Sequence, residues 1–357
     1  RNVSSTITKD TADHLLKKIN RLQPNNLFTN DIFDEFYRKL NPPEQGSVQS
    51  VELSDDKKQS VLMESVNKFK KIKGVAGCGK TTILAKRAVN AFRRHSSPVL
   101  ILTYNITLKQ YIKDKVSAVG EKIESNNFEV TNYHQFFESQ LNNYNIDTSE
   151  FEESNRKKQL SEEEFFDLRY KQDFFKGQKI EKYQTILVDE IQDYEPEWVK
   201  IIRDNFLDLD EKDGEMILFS DPSQNIYERD HNKRASVVAQ GFGEWVKLTK
   251  SYRINPTSRL IKLFKAFQQV FLIKNSQDLL VFDSKPDNLN YELYDVLQYQ
   301  TYLPEDDLKK LHLKIVDCIT VNKFASKDIT ILCSRIKLLQ NLNALFNENE
   351  KTMVMFE

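Results

Sequence analysis

Between residues 74 and 81 the chain reads Gly-Val-Ala-Gly-Cys-Gly-Lys-Thr, so that Gly74, Gly79, Lys80 and Thr81 satisfy the spacing G-x-x-x-x-G-K-[S/T]. Glycines at 74, 77 and 79 let backbone N–H groups turn inward around phosphate oxygens, with Ala76, Cys78 and Thr82 completing the cradle. The helical pattern that follows, TILAKRAVNAF, adds its positive end. Lys80 has the reach to bind β- and γ-phosphates, and the Thr81 hydroxyl can ligate Mg²⁺. A second feature points the same way: the apolar run TILV is followed by Asp189 and Glu190. Metals and ligands gather at the carboxyl ends of strands in open α/β sheets. Asp189 is therefore placed to hold Mg²⁺, and Glu190 to orient and deprotonate an attacking water. A strand ending in acids is common; coupled to the glycine loop, it points to hydrolysis of a nucleoside triphosphate.

Such a site needs a sheet to position it. The runs PVLILTYN (98–105), QTILVDE (184–190), EMILFSD (215–221) and DITILCS (328–334) are near-continuous in Val, Ile and Leu, which suits strands buried on both faces, with helical patterns between them. The expectation is an α/β fold: a parallel sheet flanked by helices. NKFKKIKG, the segment that should be the strand feeding the glycine loop, is a poor strand by composition. Residues 1–50 read as helices that could end an upstream domain, and close on the break NPPEQGS. An ATPase domain is expected over 51–258, with a polar, solvated insertion near 142–164, and an incomplete further domain over 259–357.

The bulk properties exclude several classes. The 357 residues carry 52 Lys plus Arg against 53 Asp plus Glu, a formal charge of −1, so the chain has no global basic footprint and any nucleic-acid surface must be local. Three scattered cysteines, Cys78, Cys318 and Cys333, make neither a disulfide framework nor a zinc site. A reducing, cytoplasmic setting is expected. No apolar run is long enough for a bilayer, so no membrane partner is expected. The first residue is Arg1, and the chain reads as part of a longer polypeptide.

At DEIQD (189–193) the sequence carries more than a generic phosphate loop explains: the string resembles the DExxQD-type motif II of UvrD/Rep-type superfamily 1 DNA helicases. The resemblance continues in order. LILTYN (100–105) is similar to motif Ia, VTNYHQFF (130–137) to motif Ib, FSDPSQNIY (219–227) to motif III and LTKSYRI (248–254) to motif IV. The family implies a P-loop NTPase of RecA-like fold, here the first motor domain and the start of a second. It implies that Gln224 senses the γ-phosphate, that Arg253 contacts it, and that Tyr252 stacks on the nucleotide base. Single-stranded DNA contacts are implied for Thr103, Tyr104, Asn105, Tyr133, His134 and Tyr227. For Tyr104 and Tyr133 burial at strand ends is an equally available reading, as is a satisfied core histidine for His134.

The chain also departs from the family. Where an adenine-reading Gln is common, LSDDKKQSV (53–61) has Lys57 in register and Gln59 two positions later. ATP is still favoured, because no NKxD string is present; NKFA at 322–325, for example, lacks the Asp that reads guanine. Glu228 and Arg229 follow NIY where an aromatic often stacks on DNA, and Ser220 opens motif III in place of Gly. DITILCSRIKLLQNLNALF looks like the opening strand and helix of the second motor domain, but no motif V or VI follows. The expected activity is an ATP-driven translocase or helicase using Mg²⁺. The alternative is a nucleotide-sensing regulatory subunit of a nuclease or defence complex, with a protein partner or fused nuclease domain.

Overall fold

A computed structural model describes residues 57–66, 69–120, 123–156, 158, 160–209, 214–221, 241–252, 259–267, 269–270, 307–324, 329–333 and 335–349. The expected N-terminal helices and their closing break lie outside the described residues, as do Gln224, Tyr227, Glu228, Arg229 and Arg253.

Six parallel strands form one sheet: β1 (Phe69–Gly74), β2 (Val99–Thr103), β3 (Phe128–Asn132), β4 (Thr185–Val188), β5 (Glu215–Ser220) and β6 (Trp245–Leu248), in the order β3-β2-β4-β5-β1-β6. This is the expected α/β architecture. Before β1 lies α1 (Lys57–Met63), and after it α2 (Lys80–His95). Then follow α3 (Ile106–Val119), α4 (Tyr133–Asn143), α5 (Ser149–Arg156), α6 (Glu162–Lys171) and α7 (Pro196–Ile201). Alternation along each strand divides the core in two. Val99, Ile101, Leu187, Ile217 and Phe219 pack with Ile83, Leu84 and Ala88 of α2. Leu100, Leu102, Ile186, Val188 and Leu218 pack on the other side with Phe136, Trp198, Ile202 and Phe206. Burial on both faces is why these strands read as unbroken apolar runs.

β1 is the exception, and composition concealed it. It pairs with β5 (Lys73 opposite Ser220) and with β6 (Gly74 opposite Leu248) despite its three lysines. Ile72 faces the α2 core, fully buried. The Lys71 and Lys73 ammoniums lie 5.2 and 5.8 Å from the Trp245 ring centroid, where the ring face attracts the charges and the stems cover apolar surface. Burial, then the neighbouring Lys73, hold the Lys71 ammonium below its usual range.

Within the polar stretch 142–164 lie α5 and the start of α6. Ser161 and Glu164 form a reciprocal capping box that starts α6, a helix with no buried residue. The Arg169 fork ties α6 to Glu138 of α4 at 3.1 and 3.2 Å and to Glu152 of α5 at 3.1 Å.

Further along, α8 (Arg259–Phe267) precedes α9 (Asp307–Thr320) and α10 (Ile336–Asn349), the last two packing around Ile315, Leu342 and Phe346. α10 matches the helix expected from RIKLLQNLNALF. The strand expected from DITILCS is corrected: residues 329–333 belong to no strand, and Ile329 and Ile331 instead pack against the α9–α10 cluster. A strand requires a neighbour for its backbone groups, and an apolar run with another surface to cover does not form one.

Candidate nucleotide-binding site

The sheet order sets the site. β5 stands between β1, which feeds the glycine loop, and β4, which ends at Asp189, so Asp221 after β5 falls between the two. The loop turns on Gly77 (φ 75°) and Gly79 (φ 91°), both in the left-handed region that side chains resist. Gly74 is required for a different reason: a Cβ there would meet Cys78 Sγ at 2.3 Å and Leu248 Cβ at 3.0 Å. α2 then starts at Lys80, with Thr81 and Thr82 half-buried in its first turn. Cys78 is fully buried, its thiol pushed up by burial, and its N–H donates to Val75 O at 3.2 Å, so the cysteine serves the loop's shape.

Lys80 Nζ donates to Gly74 O at 2.9 Å and Val75 O at 3.4 Å, and forms an ion pair with Asp221 Oδ2 at 3.0 Å. Burial alone would lower the Lys80 ammonium; Asp221, Cys78 and Glu190 outweigh it and leave it raised. Across β5, Asp189 is 2% exposed, and burial followed by repulsion from Glu190 pushes its carboxyl up to about 7. Burial also raises Glu190, against the Gln192 hydrogen bond and Lys80. Glu190 adopts a left-handed backbone (φ 51°, ψ 47°), which is uncommon for a non-glycine residue. These carboxylates are poorly hydrated and mutually repelling, so a divalent cation beside Asp189 and Thr81 would relieve the repulsion. Among the described residues no group of three or more His, Cys, Asp or Glu could hold a metal alone. That fits Mg²⁺, which is usually held by one or two carboxylates together with substrate phosphates and water.

Sequence reasoning quoted Asp221 and Gln192 within motifs but gave neither a role. Gln192 Oε1 accepts from Ser220 Oγ and from Asp221 N, both at 3.1 Å, while Nε2 donates to Glu190 Oε2 at 2.7 Å. The amide thus links the acid after β4 to the end of β5. Their signal lay in register, because residues at the ends of adjacent strands must meet.

Two further segments close on the loop. Gln59, 1% exposed, donates from Nε2 to Cys78 O at 3.0 Å, and its buried Oε1 has no hydrogen-bond partner among the described residues. Beyond β6, Tyr252 N donates to Gly77 O at 2.8 Å; the half-buried Tyr252 ring packs on the α2 core with the Lys250 ammonium 4.7 Å from its centroid.

The residues implied as strand contacts divide. Asn105 is exposed, whereas Tyr104 is half-buried edge-on to Tyr194. Tyr133 is corrected to a core residue: it is 1% exposed, stacks on Trp198 (4.6 Å, 12°), and donates from its hydroxyl to Tyr170 O at 2.8 Å. One ring face and the hydroxyl are thereby engaged within the core. Thr103, the last residue of β2, is fully buried. His134 is half-buried, edge-on to Tyr170 (4.4 Å) and Trp198 (4.9 Å).

Among the described residues no helix is long and apolar enough to cross a membrane. Residues 57–230 match a family model described as an AAA domain, just under half of the chain. No curated protein matches the chain. Taken with that match over residues 57–230, the glycine loop on β1, the acidic end of β4 and the all-parallel sheet are those of a P-loop NTPase of RecA-like fold.

Proposed function

We propose that the protein is an ATP-dependent translocase on single-stranded DNA, similar to UvrD/Rep-type superfamily 1 helicases. The observation that carries the reading is the Gln192 bridge. It connects Glu190, the candidate base, to Ser220 and Asp221, which open the block resembling motif III. Lys80 and the N–H groups of the glycine loop bind phosphate oxygens, and Thr81 and Asp189 hold Mg²⁺, which supplies charge neutralisation when bound. Glu190, held by Gln192, accepts a proton from the attacking water. Gln59 reads the base: Cys78 O can only accept, so the amide oxygen is left for a donor, which adenine's exocyclic amine provides and guanine's carbonyl does not. Gln224 and Arg253 are assigned to the γ-phosphate, and Tyr252 to the base.

The test is ATP hydrolysis by the full chain with and without single-stranded DNA. Stimulation by DNA is expected, together with loss of turnover on the order of 100-fold or more in Glu190→Gln while ATP still binds. A specific observation favours a second reading, that of a nucleotide-sensing subunit: two expected strand contacts, Thr103 and Tyr133, are buried. ATP binding that controls a protein partner or nuclease, with no DNA stimulation, would replace the motor reading with that one.

A further inference from the structure

α1 is seven residues long, too short to persist by itself in water, yet it carries Gln59. Gln59, Leu62 and Met63 share one helical face, and all three are buried. Other elements supply the bonds that hold this face. Gln59 reaches Cys78 O near one end, while at the other Arg87 Nη1 donates to Leu62 O at 2.7 Å and Asn90 Nδ2 to Met63 O at 3.0 Å. Arg87 is fully buried, and its Nε donates to Glu215, the equally buried first residue of β5. The second oxygen of Glu215 accepts from Ser65 Oγ at 2.5 Å, just past the end of α1, and from Arg94 and Thr185, both at 3.3 Å. One buried ion pair therefore grips the exit of α1 at two points, Leu62 and Ser65.

Stability alone is a weak reason for such a pair, since well-packed apolar replacements are often as stable or more so. An apolar pair could not, however, take the Leu62 carbonyl or the Ser65 hydroxyl. We propose that Arg87 and Glu215 are positioning residues for base recognition. They lock α1 so that Gln59 keeps its N–H on the P-loop carbonyl and its oxygen available to the base. Neither residue touches the nucleotide, because Glu215 opens β5 at the end of the strand opposite Asp221. The inference rests on the base-reading role of Gln59 given above.

The experiment titrates the full chain with ATP, GTP and magnesium tripolyphosphate, alongside thermal unfolding. Arg87→Met combined with Glu215→Leu removes both charges, so neither is left buried alone. It should weaken ATP about tenfold, the factor that accompanies one lost hydrogen bond, while GTP and tripolyphosphate hold their affinities. Arg87→Lys, which can serve Leu62 O or Glu215 but not both, should fall between, and Ser65→Ala should shift ATP in the same direction by about twofold to threefold. If the double variant fails to fold, these two single variants carry the test. A purely structural pair would lower the melting temperature and the active fraction while leaving the ATP-to-GTP ratio untouched; that result overturns the inference. If Gln59→Ala removes the preference for ATP while the other variants keep it, positioning alone is wrong. If Gln59→Ala changes nothing, both the base reading and the inference fall.

Discussion

The ammonium of Lys80 is the most constrained charge in the site, held between two loop carbonyls and a carboxylate that is only 1% exposed. Removing one member of a buried pair costs far more than removing both. Lys80→Ala should therefore destabilise the domain by about 3–5 kcal/mol as well as abolish nucleotide binding. Lys80→Met with Asp221→Asn should recover most of that stability and none of the binding. Chemical unfolding and nucleotide titration of the three proteins check it; a double variant no more stable than Lys80→Ala would refute the pairing argument. Lys80, Asp189 and Glu190 were legible from residue type and spacing. Asp221 and Gln192 were not assigned, because their roles depend on which strands lie side by side, and β5 enters the sheet between two strands that precede it in sequence.

At the scale of elements, β1 shows how packing overrides composition: three lysines become strand because two neighbours supply backbone partners and Trp245 supplies a face for the charges. Residues 329–333 of DITILCS show the reverse, a strand-like composition that forms no strand. Two substitutions test the packing. Gly74→Ala drives a methyl into Cys78 Sγ and Leu248 and should cost about 1–3 kcal/mol, with weakened nucleotide binding, because loop and β6 must separate. Tyr133→Ala should cost about 3–5 kcal/mol of stability. DNA affinity of its folded fraction should be unchanged, whereas Asn105→Ala should lower it. Equilibrium unfolding paired with DNA titration separates these outcomes. The aromatic at 133 was ambiguous in sequence because a stacking platform and a core ring use the same residue type, and only Trp198 across the layer decides between them.

For the molecule as a whole, the strained carboxylates make stability depend on pH. The Asp189 carboxyl is raised from its ordinary 3.8 to about 7, chiefly by burial, so its contribution is fully present below the ordinary value and is lost as pH rises through about 7. On the proposed reading, Mg²⁺ with nucleotide would bind the ionised form and reverse that loss. The rise in melting temperature on adding magnesium nucleotide should thus be larger at pH 8 than at pH 6, and Asp189→Asn should flatten the difference. An equal rise at both values in the unsubstituted protein would contradict the assignment of Asp189 to the metal. The α/β class and the strands β2, β4 and β5 were visible in sequence because each follows from burial pattern; β1, β3 and β6 lack an unbroken apolar run and were not.

One bond carries a mechanical corollary. Tyr252 N is fastened to Gly77 O, so the chain leaving the last strand is buttoned to the very turn that must embrace phosphate. Any reshaping of that turn tugs on the exit, and any load pulling on the exit is felt at the turn. The exit of β6 is thereby leashed to the occupancy of the cradle.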